Sequence, residues 1–257
     1  MAVDKLVDST QLDSNLASVA NAIRTKGGTS ADLAFPAGFV SAIEDIPTGG
    51  SDTLTQLLKN QLVSYDVPTN IPEKLFYNKT NLESVTFPKT GITVGTRAFQ
   101  GCTKLGNIHI VGSGNSNGNM FTGDTAMTLA VYRGFTNVGA YDFQNCSNLT
   151  TLDVTVSTIA ASAFSSAAKL GVLVLRRTSI TSLANVNAFN GTKFKSGGAG
   201  GTIYIPESLY DHLGDGGTSD YKAATNWATV NGYGTITWAK IEGSIYETAY
   251  ADGTPIS

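Results

Sequence analysis

Acid-base, nucleophilic and metal chemistry lean on histidine and cysteine, and this sequence holds only His109, His212, Cys102 and Cys146. A zinc site needs three or four protein ligands. With no Cys-x-x-Cys pair and two imidazoles far apart in the chain, no metal site is expected. A Ser-His-Asp arrangement would have to use one of the same two histidines. The run Gly112-Ser113-Gly114-Asn115-Ser116-Asn117-Gly118 has neither the glycine spacing of a dinucleotide loop nor the Lys-Ser/Thr pair of a P-loop. It reads as a flexible excursion. The 20 acidic residues could hold a glycosidase pair, but nothing in the sequence brings two of them together. No catalytic residue and no cofactor is therefore expected, and a polysaccharide-degrading enzyme is the weakest of the readings.

The elements that would position any of these residues are set by a repeat. Aligned on phenylalanine, the units begin at Phe76, Phe99, Phe121, Phe143, Phe164 and Phe189, at spacings of 23, 22, 22, 21 and 25. Offsets of six, nine and eleven are then apolar in four of them: Leu82, Val85 and Phe87; Leu105, Ile108 and Ile110; Leu149, Leu152 and Val154; Leu170, Leu173 and Leu175. The Phe121 unit keeps Met127 and then drifts, and the Phe189 unit dissolves into Gly197-Gly198-Ala199-Gly200-Gly201. A period of about 20–29 residues with fixed apolar offsets describes units that bury their apolar face only by stacking on neighbours. Offsets nine and eleven are two apart and point the same way from a strand, so each rung carries one short strand.

This phase places the candidate residues. Cys102 and Cys146 share offset three, two rungs apart, at about 9–10 Å, beyond the reach of about 7 Å between the Cα atoms of a disulfide. They are expected to be free, buried thiols, with Asp124 between them tipping outward. Offsets eight and ten face away from the core, which puts Ser84 and Thr86, Asn107 and His109, and Thr151 and Asp153 on an exposed strand face, followed by Val172 and Val174. Those six polar residues are the candidate ligand-binding surface, with Tyr132, Tyr141, Tyr204 and Tyr210 as further candidates for contact or packing.

The wording of the repeats carries a resemblance. Arg97-Ala98-Phe99-Gln100-Gly101-Cys102-Thr103-Lys104-Leu105 and Tyr141-Asp142-Phe143-Gln144-Asn145-Cys146-Ser147-Asn148-Leu149 resemble the AF-x-x-C-x-x-L phrase of BspA-like leucine-rich repeats. The resemblance covers roughly residues 70–195. It implies a mainly β (α+β) solenoid that binds other molecules, with a short N-terminal helical module and a C-terminal cap. Ile203-Tyr204-Ile205-Pro206 and Tyr221 to Trp227 look like the closing segment of such arrays, split by a surface loop at 211–217.

Ahead of the repeats, Leu12, Leu16, Val19 and Ile23 follow helical spacing, and Phe35, Phe39 and Ile43 suit a second short helix around Pro36. Two short helices can neither hide these side chains nor form a stable core of their own, so the seven residues are the candidate assembly interface. Ala20 to Thr29, followed by Phe35-Pro36-Ala37-Gly38-Phe39, is similar to a module of phage and prophage tail-associated proteins of Gram-positive bacteria. That resemblance implies a virion location, with other virion proteins or a host-surface glycan or protein as partners and a homo-oligomer, a trimer being common in tail fibres. The alternative is a BspA-like adhesin at the bacterial surface. The expected division is a module at 1–47, a linker and capping helix at 48–63 with Leu54, Leu57, Leu58 and Leu62 on one face, the solenoid at 64–206, and a cap and tail at 207–257.

Composition excludes other classes. A net charge of -3 without a Lys/Arg run offers no footprint for nucleic acid or anionic lipid. No basic start with a continuous apolar stretch marks a signal peptide, and no apolar run is long enough for membrane insertion. Charged residues at 14% against a typical value of about 25% suit stacked strands and turns.

Overall fold

In the computed structural model, residues 60–67, 70–88 and 91–249 are described, together with Asn21, Gln56 and Leu57. The chain divides into two compact units, Met1–Lys59 and Asn60–Ser257. The seven assembly candidates Leu12, Leu16, Val19, Ile23, Phe35, Phe39 and Ile43 lie outside the described residues, as do residues 48–51 and Leu54 and Leu58 of the capping helix. Leu57 is helical, and Leu62 is buried.

The second unit is a parallel β-solenoid. Strands β1 (Ser64–Asp66) and β2 (Ser84–Thr86) pair with each other. β3 (Ile108–Val111), β4 (Leu129–Arg133), β6 (Thr151–Val154), β8 (Val172–Leu175), β10 (Gly201–Ile205) and β11 (Ile236–Lys240) form a six-stranded parallel sheet in that spatial order. β5 (Asn137–Val138), β7 (Thr158–Ile159) and β9 (Ser182–Leu183) make a second, shorter parallel sheet. Among the described residues of this unit helix is confined to short pieces, including a 3-10 turn at Val186–Phe189, α1 (Glu207–Tyr210) and α2 (Trp227–Gly232).

The repeat phenylalanines stack between these walls. Centroids of Phe76, Phe99, Phe121, Phe143, Phe164 and Phe189 follow one another at 5.1, 5.4, 5.4, 6.3 and 5.5 Å, and none is more than 1% exposed. Behind them Leu82, Leu105, Met127, Leu149 and Leu170, all at offset six, are fully buried. Each such side chain contributes about 1.5–3 kcal/mol by leaving water. The rung turns on left-handed residues, one on either side of each of the first five phenylalanines and one after Phe189. Two positions after each phenylalanine stand Asn78, Gly101, Gly123, Asn145, Ser166 and Gly191, all at positive φ. Five of the six are glycine or asparagine, the residue types that tolerate αL best, and the sixth is Ser166.

Two rungs depart from the sequence reading. The Phe121 unit does not drift: Ala130 and Tyr132 occupy offsets nine and eleven, fully buried and in register with Ile108 and Ile110. A small alanine and a hydroxyl-bearing ring hid the pattern. Tyr132 fills the space by stacking on Phe135 at 4.3 Å and meeting Phe143 edge-on at 5.6 Å. The Phe189 unit does not dissolve either. Phe194 is buried, the glycine-rich turn is an insertion, and Ile203 then aligns with Leu173 in the sheet.

Beyond β10 the array is closed by Tyr221 and Trp227, both buried. Trp227 packs 5.7 Å from Phe189 and donates its indole N–H to the Thr181 carbonyl at 2.7 Å, while the Tyr221 hydroxyl accepts from the Thr181 amide at 2.9 Å. β11 then adds to β10, and residues 241–249 follow it.

Candidate binding surface

Register across the sheet brings His109, Val131, Asp153, Val174, Tyr204 and Ala239 side by side on one row. The structure sorts the six expected surface residues. Ser84 and Thr86 are exposed, and His109 and Thr151 are half-buried. Asn107 is exposed but committed: its side-chain oxygen accepts from the Thr128 amide (3.1 Å), the Thr128 hydroxyl (2.9 Å) and the Leu129 amide (2.9 Å), which ties two rungs together.

Asp153 is the correction. It is fully buried, flanked by Arg133 and Arg176. Arg133 donates to it at 3.1–3.2 Å and Arg176 at 2.7–2.9 Å, both through Nε and Nη2. A carboxylate on this row is tolerated because two guanidinium forks satisfy it. Sequence reasoning missed both arginines. Their shared offset of twelve, in the units on either side of the aspartate, was the available signal.

Arg176 also reaches a segment far along the chain. Its Nη2 donates to the carbonyls of Tyr246 at 2.8 Å and Ala249 at 3.0 Å. Tyr246 lies 4.6 Å from the Tyr204 ring, and together with Ile241 it packs on Val174, with Val172 and Ala249 at the edge of the cluster. The outer face of β8 and β10 is thus occupied by the protein's own residues 241–249, which hide the apolar pair expected to be exposed.

Two buried acids lie inside the rungs. Asp142 accepts from Ser116 Oγ (2.5 Å) and the amides of Gly139 (2.7 Å) and Met120 (3.0 Å), with the Tyr132 hydroxyl at 3.4 Å. Burial raises its pKa, and these donors act against the rise. This corrects the reading of residues 112–118 as a flexible excursion, since Ser116 is buried and pinned. Gly112 serves packing, since a Cβ there would sit 2.0 Å from the Phe135 ring.

Asp124 does not tip outward. It is fully buried in the offset-three column with Cys102 and Cys146, and neither carboxyl oxygen has a hydrogen-bond partner. The nearby amides of Gly101 and Cys102 are spent on the carbonyls of Thr122 (2.8 Å) and Phe99 (3.1 Å). Desolvation therefore raises its pKa well above the ordinary 3.8. Cys102 and Cys146 are free and buried, and donate Sγ–H to the carbonyls of Phe76 and Phe121 at 3.0 Å each. Burial, and secondarily Asp124, pushes both thiols up, away from the thiolate form that reacts. Among the described residues no three potential ligands gather around a metal position, and no helix is long and apolar enough to cross a membrane.

Of the other tyrosines, Tyr132 is core, Tyr204 is covered by Tyr246, Tyr141 is exposed, and Tyr210 lines an open cleft near β11.

Comparison with known proteins addresses the repeats. The chain is similar to a leucine-rich repeat protein of T. pallidum, at 20% identity over 56% of this chain and 59% of that one, with a TM-score of 0.34. It is also similar to a leucine-rich repeat protein from Bacteroides ovatus, at 18% identity over 70% of this chain and 55% of the other, with a TM-score of 0.35. It therefore spans less than two thirds of either structure. No curated protein matches it. The family model for the BspA type leucine rich repeat region matches residues 69–195 in six copies, the span of the six phenylalanine rungs. Residues 69–195 are thus similar to the leucine-rich repeat region of the BspA type.

Proposed function

We propose that this chain is a binding protein that presents its solenoid to a second macromolecule, with residues 1–47 attaching it to a larger particle. The observation that carries the binding role is the docking of residues 241–249 on the outer face. That face holds a segment of consecutive turns through Arg176, which reads main-chain carbonyls, and through Tyr204, which meets an aromatic side chain. A surface that retains one segment this way has the chemistry to hold another, and β1 and β2 continue the array with exposed Ser64, Asp66, Ser84 and Thr86. Arginine and tyrosine are the residue types enriched where proteins meet.

The particle is a phage tail or baseplate in this reading, supported by the resemblance of residues 20–39 to tail-associated modules and by the division of the chain between Lys59 and Asn60. An adhesin on a bacterial surface is the second reading, favoured by the repeat type itself. Co-purification with phage particles separates the two. Deleting residues 1–47 is expected to leave the unfolding transition of the repeats nearly unchanged and to abolish oligomerisation or particle attachment. A truncated protein that folds and still assembles would refute the division of labour.

A further inference from the structure

The cleft beside β11 has a composition that the outer face lacks. It is open to solvent and offers about 480 Å³, within the range of about 300–1,000 Å³ usual for small-molecule sites. Its walls come from Tyr210 at the end of α1, Lys222, Asn231 of α2, and Thr237 and Trp238 of β11.

Both aromatic rings are held in place. The Trp238 indole stacks on Tyr221 at 5.2 Å and donates its N–H to Asn231 Oδ1 at 2.9 Å. The Lys240 ammonium stands 5.4 Å from the centre of the Tyr210 ring and is itself fixed by Glu207 (2.6 Å) and Asp211 (3.0 Å). Polar capacity surrounds them. Asn231 spends its oxygen on the indole and keeps its two N–H donors, the Thr237 hydroxyl can donate and accept, and Lys222 brings three donors. Fixed rings interleaved with donors and acceptors suit a pyranose, whose C–H face packs on an aromatic while its equatorial hydroxyls exchange hydrogen bonds. The local charge selects among sugars. Lys222 is the one charged residue in the lining, and the surrounding residues 207–240 carry four carboxylates, Glu207, Asp211, Asp215 and Asp220, against Lys222 and Lys240, so the neighbourhood offers no net positive field to draw in a phosphate- or carboxylate-bearing ligand.

We propose that the cleft formed by Tyr210, Lys222, Asn231, Thr237 and Trp238 is a binding site for neutral saccharides. The site lies at the β11 edge of the sheet and uses none of the residues that hold segment 241–249, so its success or failure leaves the reading of the outer face untouched. The test uses the full chain and two neutral probes, N,N′,N″-triacetylchitotriose and maltotriose, followed by two-dimensional NMR of the indole N–H groups. The chain has two tryptophans, and Trp227 is fully buried, so the two indole signals act as reporter and internal control. At least one probe is expected to shift the Trp238 signal and leave Trp227 in place, with a Kd of about 1 mM, the level of a small polar ligand with few contacts. Replacing the exposed pair together, Lys222→Ala with Thr237→Ala, is expected to weaken that binding about fivefold or more while the Trp227 signal stays native. No shift from either trisaccharide at 20-fold the expected Kd overturns the proposal. So does a shift of Trp238 caused only by an extended Thr-Val-Thr-Val-Thr peptide, which would mark strand addition at the β11 edge instead.

Discussion

Replacing Asp124 by alanine should make this protein more stable at neutral pH, although it deletes a fully buried side chain. The folded state holds the carboxyl without a hydrogen-bond partner for either oxygen, so the neutral acid is the form it keeps, and burial is the leading cause. In the unfolded chain the same group ionises in the ordinary range, about pH 3.9. Its folded pKa is raised, so the native state retains a proton that the unfolded state has lost. Stability must then fall as pH rises from the unfolded pKa, by about 1.4 kcal/mol per unit, until the folded group itself ionises. The loss accumulates across the whole interval between the unfolded and the raised folded pKa. Alanine removes the slope and leaves a small void, costing about 1 kcal/mol at about 24 cal/mol per Å³. The column already accepts this residue at the same offset, since Ala167 is fully buried there. Urea unfolding at intervals from pH 3 to pH 8 should therefore show the variant about 1 kcal/mol less stable at pH 3, and more stable than wild type by pH 7. Other groups, Asp142 among them, are common to both proteins and drop out of the difference. Two parallel curves would refute the reasoning, because they would mean that Asp124 has the same protonation in both states.

The remaining predictions test the ladder, the thiols and the clamp. Phe143→Ala should cost about 3–5 kcal/mol in equilibrium unfolding, the range for a buried aromatic, whereas a loss below about 1 kcal/mol would remove Phe143 from the core. Alkylation under denaturing, non-reducing conditions should add two labels, because Cys102 and Cys146 each donate to a carbonyl of a different rung. An unlabelled species two hydrogens lighter would contradict the spacing. Arg176→Ala leaves Asp153 with one guanidinium and frees the carbonyls of Tyr246 and Ala249, so it should destabilise by about 3 kcal/mol or more and open residues 241–249 to limited proteolysis. Unchanged cleavage there would show that the arginine does not hold the segment.

The sequence by itself determined the phase of this protein. A solenoid repeats one local problem, and the phenylalanines, the leucines at offset six and the alternating strand positions recur wherever the same neighbours must be met. Glycine and asparagine two residues after phenylalanine marked part of the turn as well. The matching left-handed position two residues before it is taken by Lys74, Arg97, Asn119, Tyr141 and Ser162, and only asparagine among these advertises the conformation. What tertiary structure alone decided is which departures from the pattern are inside. Ala130 and Tyr132 are in register because the partner strands are, and the large ring makes up for the small side chain beside it. Asp124 faces the core and Asp153 is sealed on the outer row, though a carboxylate at either offset reads as solvent-facing from sequence. The groups that settle each case come from neighbouring rungs about 22 residues away, or, for the segment against Arg176, from 70 and 73 residues away. Local periodicity does not say how a charge at a given offset is met, since burial of a charge depends on the partners that surround it and not on the offset it occupies.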